Sequence, residues 1–243
     1  MSGRHRPLVF SHRGRTQGVA GTEGIVENTL AAFEASRQLG ADGVELDVRR
    51  SADWALVVHH DADLPDGRAL AATPVRELPG HVPLLAEAMA ACQPMVVNVE
   101  VKHDQGTDPD RALAAAVVSA LQDGGWADRA LVSSFDVRSI DLARDAGLRV
   151  GWLLAPAADA RAALPQAVDQ GYQALHPFVA QVDEALVAGA HEAGLAVNVW
   201  TVNAPEDLAR MVELGVDAVI TDRPAAVLAE VRRCSPNGEP AAG

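Results

Sequence analysis

Short β-branched runs alternate with Ala/Leu-rich stretches of helical period along nearly the whole chain, and this alternation restricts the available folds more than any other feature. The runs occupy residues 8–11, 43–48, 95–101, 130–133, 149–154, 174–176, 196–200 and 218–221. The helical patterns lie between them at 29–39, 84–91, 110–122, 137–146, 159–170, 183–193 and 205–214. Six of these patterns have a glycine just beyond their last periodic residue, at Gly40, Gly124, Gly147, Gly171, Gly194 and Gly215. A glycine there supplies the left-handed residue that closes a helix C-terminus. Strand followed by helix, repeated, is the signature of parallel βα units. Eight such strands predict a closed (β/α)8 TIM barrel, an α/β fold. An open doubly wound sheet would carry a glycine-rich first turn, and His12-Arg13-Gly14 is not one. A further apolar run at 55–59 follows the turn Ser51-Ala52-Asp53-Trp54 and reads as the return arm of a β-hairpin after the second strand. The expectation is one domain over residues 1–233 with a disordered Pro/Gly/Ala-rich tail at 234–243.

Charged residues end the first three runs: His12-Arg13, Glu45-x-Asp47 and Glu100-x-Lys102. Side chains two apart on a strand share a face, and in a barrel the C-terminal strand ends form the active face. Glu45, Asp47 and Glu100 therefore converge as hard oxygen donors suited to a single Mg²⁺ or Ca²⁺. Without a cation, three carboxylates so close would repel one another. Pairing run 43–48 with 55–61 across the hairpin sets His60 roughly opposite Glu45 and turns the adjacent His59 to the other side. Later strand ends add His176, Asn198, Trp200 and Asp222 to the same face, with Trp200 a candidate apolar wall at the edge of the site.

Composition limits the partners. With 33 acidic against 20 basic residues the net charge is −13, which argues against nucleic acid or an anionic membrane as a general partner. An anionic small molecule must then be drawn by a local site. Cys92 and Cys234 have no metal-ligand or disulfide spacing. No apolar segment has the length of a signal peptide or a membrane span, so a cytoplasmic protein without integral membrane association is expected. The sequence is equally compatible with a monomer and a homodimer.

The ordered strings Ser-His-Arg-Gly (11–14), Glu-Asn-Thr-Leu-Ala-Ala-Phe (27–33), Gly-Ala-Asp-Gly-Val-Glu-Leu-Asp-Val (40–48), Val-Val-His-His-Asp-Ala-Asp-Leu (57–64) and Asn-Val-Glu-Val-Lys (98–102) resemble the glycerophosphodiester phosphodiesterase family. Weaker similarity continues through Leu175-His176-Pro177, Val199 to Asn203 and Ile220-Thr221-Asp222-Arg223-Pro224. The resemblance implies divalent-metal-dependent hydrolysis of a glycerophosphodiester to glycerol 3-phosphate and an alcohol. It implies His12 and His60 as the general acid and base, Arg13 and Lys102 as phosphate binders, and Glu45, Asp47 and Glu100 as metal ligands. Glu27 falls at the site edge, although a helix start at Asn28 or Thr29 is its competing role. In the family the glycerol hydroxyl is thought to attack first, through a cyclic phosphate. The chain departs from the family pattern at Ile25-Val26, where a proline is usual. It departs again after Asp61, where a longer insertion is cut back to Leu64-Pro65-Asp66-Gly67-Arg68. A wider pocket mouth follows, and with it a second candidate activity, a lysophospholipase D-like cleavage of lysophospholipids.

Overall fold

Parallel pairing bends the strand series round until its ends meet. In the computed structural model, which describes residues 6–16, 24–103 and 111–234, β1 (Leu8–His12) pairs in parallel with both β2 (Gly43–Arg50) and β9 (Ala218–Thr221). Between them run β4 (Val96–Val101), β5 (Ala130–Ser134), β6 (Val150–Leu153), β7 (Ala174–His176) and β8 (Ala196–Val199), each parallel to the next. Among the described residues this is the expected eight-stranded closed barrel, with β3 (Leu56–Val58) added antiparallel to the end of β2. Closure leaves the eight parallel strands with two neighbours each, so their backbone groups are paired and their apolar residues can be buried on both faces.

The helices follow the sequence pattern closely and are fixed by side-chain caps. Thr29 caps α1 (Leu30–Leu39) by accepting from the Ala32 amide, and Asp136, Asp159 and Asp183 do the same for α4 (Val137–Asp145), α5 (Ala160–Asp169) and α6 (Glu184–Glu192). Leu85–Ala91 (α2), Ala112–Asp123 (α3) and Pro205–Leu214 (α7) complete the anticipated set. Five of the six expected glycines have positive φ; after α3 the left-handed residue is Gly125, one position later than expected, while Gly124 stays right-handed.

Two sequence expectations require correction. An eighth helix, α8 (Pro224–Cys234), follows β9 and buries Val227, Leu228 and Val231 at helical spacing. Cys234 therefore ends a helix rather than beginning a tail; residues 235–243 lie outside the described residues. The hairpin register also differs. Val48 faces Val58 and Arg50 faces Leu56, and β3 stops at Val58, so His60 is not paired with Glu45. The chain beyond it folds on its own small cluster of Val57, Leu64 and Leu70, with two 3-10 turns in place of a longer insertion. Among the described residues, no helix is long and apolar enough to cross a membrane.

The barrel interior is filled by matching large side chains to glycines. Phe10 fills the space beside Gly43, where an added Cβ would lie 2.4 Å from its ring. His176 fills the space beside Gly151, where the same addition would lie 2.3 Å from Nε2. His176 is fully buried, and burial alone pushes its pKa down to about 3. An unfolded histidine titrates near 6.5, so below that pH the unfolded chain takes up a proton that the folded chain refuses. This group is neutral toward stability above about pH 6.5, and stability is lost as pH falls toward 3, by at most about 1.4 kcal/mol per pH unit. His176→Gln is expected to flatten the acid limb between about pH 6 and 4 in urea unfolding followed by circular dichroism; an unchanged slope would show that His176 is not held neutral.

Candidate active site

The charged strand ends meet at the C-terminal mouth of the barrel. Glu45 and Asp47 project from β2 and Glu100 from β4, where register sets Asp47 beside Glu100. One carboxylate oxygen from each lies within 4.8 Å of the others, and all three residues are buried. Lys102 reaches between two of them, with its Nζ 2.8 Å from Asp47 Oδ1 and 2.6 Å from Glu100 Oε1. Arg13 follows β1 with φ 54°, and Gly14 continues at φ 79°. A Cβ on Gly14 would come within 2.7 Å of Ala32 Cβ, so the glycine permits the turn to press against α1. The turn aims the Arg13 amide at Glu45 Oε2 (3.0 Å), its Nη1 at Glu27 (2.8 Å) and its Nε toward Asp47 (3.5 Å).

The electrostatics of this group are unequal. Burial and the neighbouring Asp47 push Glu45 up to about 8, and burial with Asp47 also raises Glu100. Burial opposes the charge on Asp47 too, but Lys102 and Arg13 outweigh it and draw that carboxyl down to about 2. Glu45 Oε1 is buried with no hydrogen-bond partner among the described residues. A divalent cation fits this set: it would give the orphaned oxygen a partner and reverse the penalty on Glu45 and Glu100, and the donors are the hard oxygens that Mg²⁺ and Ca²⁺ take.

His12 ends β1. Its Nδ1 lies 2.6 Å from Asp222 Oδ1 and its Nε2 lies 3.9 Å from Glu45. Burial opposes protonation of His12, while the Asp222 hydrogen bond and Glu45 hold its pKa above the ordinary value. His60 lines the same small cavity, with Nδ1 2.7 Å from Asp61; burial holds its pKa below the ordinary value against the pull of Asp47. His59 instead approaches the Asp63 carbonyl at 3.4 Å and does not line that cavity. The cavity measures about 190 Å³, and one wall is apolar: Phe135, Leu153, Trp200 and Ile220. Trp200 donates from Nε1 to the His176 carbonyl (2.8 Å) and packs edge-to-face on Phe135 and Phe178, at 5.6 and 5.5 Å. Across Glu100, Lys102 and Phe135 the cavity adjoins a cleft of about 690 Å³.

Of the residues singled out from sequence, His12, Arg13, Glu27, Glu45, Asp47, His60, Glu100, Lys102, Trp200 and Asp222 lie on or beside this mouth, whereas His176 and Asn198 bond to each other inside the barrel at 3.0 Å and do not line the cavity, and sequence reasoning assigned no site role to three others. Asn28, read only as a helix cap, leaves capping to Thr29. It adopts φ 56°, is buried, and donates from Nδ2 to Asp47 Oδ2 at 2.7 Å. Asparagine is among the few residues that accept a left-handed backbone readily, so the signal for Asn28 was its residue type beside a helix start. Asn203 donates to Asp222 at 2.6 Å, and Phe135 supplies half of the aromatic wall; each falls in a stretch of weaker family similarity, Ser134-Phe135 and Val199 to Asn203, which gave neither residue a role.

The family model described as "Glycerophosphoryl diester phosphodiesterase family" matches residues 12–226, from His12 through Asp222 and into α8. The chain belongs to this family. A glycerophosphodiester phosphodiesterase of Caldanaerobacter subterraneus is 29% identical over 260 residues, covering 94% of this chain and 99% of that protein. The solved glycerophosphodiester phosphodiesterase of Thermotoga maritima is 27% identical with a TM-score of 0.78, covering 93% and 99% of the two chains. An Oleispira antarctica phosphodiesterase, solved in complex with the product sn-glycerol-3-phosphate, is 26% identical with a TM-score of 0.80 over 93% and 96%. His12, Arg13, Glu45, His60, Glu100 and Lys102 all fall within the matched residues and line one pocket, with Asp47 buried beside them.

Because Asn28 holds Asp47 from behind, Asn28→Ala is expected to weaken Mg²⁺ or Ca²⁺ binding about 10–100-fold in calorimetric titration, with the far-ultraviolet circular dichroism unchanged. Wild-type affinity in that variant would remove Asn28 from the site.

Proposed function

We propose that the chain hydrolyses glycerophosphodiesters to glycerol 3-phosphate and an alcohol, with one divalent cation held by Glu45, Asp47 and Glu100. The observation that carries this reading is one small cavity at the strand ends lined by Glu45, Glu100, His12, His60, Arg13 and Lys102, with Asp47 buried beside both basic side chains and completing the carboxylate triad. The product bound in the Oleispira antarctica phosphodiesterase supports the choice of substrate class.

The cation supplies positive charge that polarises the phosphoryl group and offsets charge developing on its oxygens. Arg13 and Lys102 add hydrogen-bond donors for the non-bridging oxygens, Arg13 through its fork and Lys102 as a point charge. Glu27 holds the Arg13 fork from the rim of the site. His12 and His60 divide the proton work: one takes the proton of the attacking glycerol hydroxyl as the new P–O bond forms, and the other gives a proton to the alcohol oxygen as the old bond breaks; water then opens the resulting cyclic phosphate with the two roles exchanged, giving glycerol 3-phosphate. Both rings have Nδ1 beside a carboxylate, which leaves each Nε2 for this exchange. The apolar wall of Trp200 and Phe135 suits the carbon face of the glycerol, and the adjoining 690 Å³ cleft has room for the leaving alcohol.

The test is glycerol 3-phosphate release from glycerophosphocholine by protein stripped with chelator and then supplied with Mg²⁺, Mn²⁺ or Ca²⁺. Release is expected only with metal. Glu45→Gln should bring it to background, and His60→Ala should cost about 10²–10⁴-fold while His59→Ala costs little. Choline release from a lysolipid, with no turnover of glycerophosphocholine under any metal, would instead establish the lysophospholipase D-like activity.

A further inference from the structure

A hydrogen-bonded chain runs backward from His12 into the last strand of the barrel. His12 Nδ1 is 2.6 Å from Asp222 Oδ1, and the other oxygen of that carboxylate accepts from Asn203 Nδ2, also at 2.6 Å. Asn203 is held in turn: its Oδ1 accepts from the Asp222 amide at 3.0 Å and from the hydroxyl of the buried Thr221 at 3.1 Å. Both polar ends of the Asn203 amide are therefore engaged, and one oxygen of Asp222 is committed to each side. The geometry leaves the Asp222 carboxylate little freedom to rotate. A carboxylate so placed can only accept, so the ring nitrogen facing it carries the proton. The other ring nitrogen, Nε2, is turned toward Glu45 and the cavity.

We propose that Asp222 is a positioning residue for the reaction, fixing the His12 imidazole with its proton on Nδ1 and Nε2 presented to the substrate, and that Asn203 fixes Asp222. The catalytic part of this inference rests on the phosphodiesterase reading above; the state of the ring does not. The partner of His60 differs in kind. Asp61 is its immediate sequence neighbour and its side chain is 74% exposed, against 42% for Asp222, and no residue holds it from behind among the hydrogen bonds described for it. Of the two histidines, His12 is the one whose orientation is set by tertiary structure. A base or acid must keep its reacting atom within hydrogen-bond reach of the proton it moves, so losing this brace should slow turnover more than it weakens substrate binding.

The ring state is read by long-range ¹H–¹⁵N NMR of the histidine side chains in chelator-treated protein, with the His12 signals assigned through His12→Gln. The expected result is a protonated Nδ1 on His12 with a slowly exchanging, downfield-shifted proton, lost in Asp222→Asn. With metal and glycerophosphocholine, Asp222→Asn is expected to lower kcat about 10–100-fold with KM within about twofold of wild type. Asn203→Ala should move both readouts in the same direction by a smaller factor. A wild-type His12 whose proton resides on Nε2 would overturn the proposal, as would an Asp222→Asn protein that keeps the Nδ1 proton signal or full kcat. If the wild-type protein releases no glycerol 3-phosphate at all, the phosphodiesterase reading fails, and the NMR result alone decides whether Asp222 fixes His12.

Discussion

Three carboxylates packed within 4.8 Å of one another dominate the energetics of the barrel mouth. At that separation two like charges repel by about 3 kcal/mol at an effective dielectric constant of about 20, a substantial fraction of the stability of an ordinary domain. The fold tolerates this because Lys102 and Arg13 approach Asp47 from two sides and Asn28 from a third, while Glu45 and Glu100 are pushed toward their protonated forms. The backbone around them is arranged to suit. Arg13 and Asn28 both adopt left-handed conformations, and the Asn28 amide bonds to the Arg13 carbonyl at 2.8 Å, which ties the turn after β1 to the start of α1. The helix start and the candidate metal centre are thus one local structure.

Much of the architecture was legible because strand and helix write different periods into the sequence, and the caps mark where one gives way to the other. Thr29, Asp136, Asp159 and Asp183 all stand where a helix begins, and glycines stand where most helices end. The carboxylates were legible for a similar reason: residues two apart on a strand share a face regardless of tertiary detail. The hairpin register was not. Alternation fixes which face a residue takes, but the offset between two strands depends on the turn, and Trp54 at φ 62° makes this a wider turn than a two-residue hairpin. His60 reaches the cavity because β3 ends at Val58 and the chain turns inward beyond it, not because it pairs with Glu45. Helix α8 was missed because it follows the last recognisable strand and runs into a segment rich in Pro and Gly.

Side-chain contacts between distant residues were the least legible layer. The sequence put Asp222 on the active face as one polar strand end among several. Only the folded chain sets it against His12, 210 positions away, and sets Asn203 behind it. Asn28 illustrates the same limit at short range: its position suggests a cap, but Thr29 takes that role and frees the amide for Asp47.

The closure of β1 onto β9 also imposes an order in time. Leu8 through Ser11 pair with residues 218–221, so the barrel's first strand waits for its last before its second edge is covered. Contacts of such sequence separation form late and slowly. Until then the sheet has two open edges, and His12 lacks the carboxylate that grips its ring. A chain cut short just before Asp222 would retain most of its βα units and all three acidic residues of the triad, yet it would carry a histidine without the carboxylate that grips its ring. Closure of the last strand onto the first and the bracing of His12 are, for this barrel, the same event.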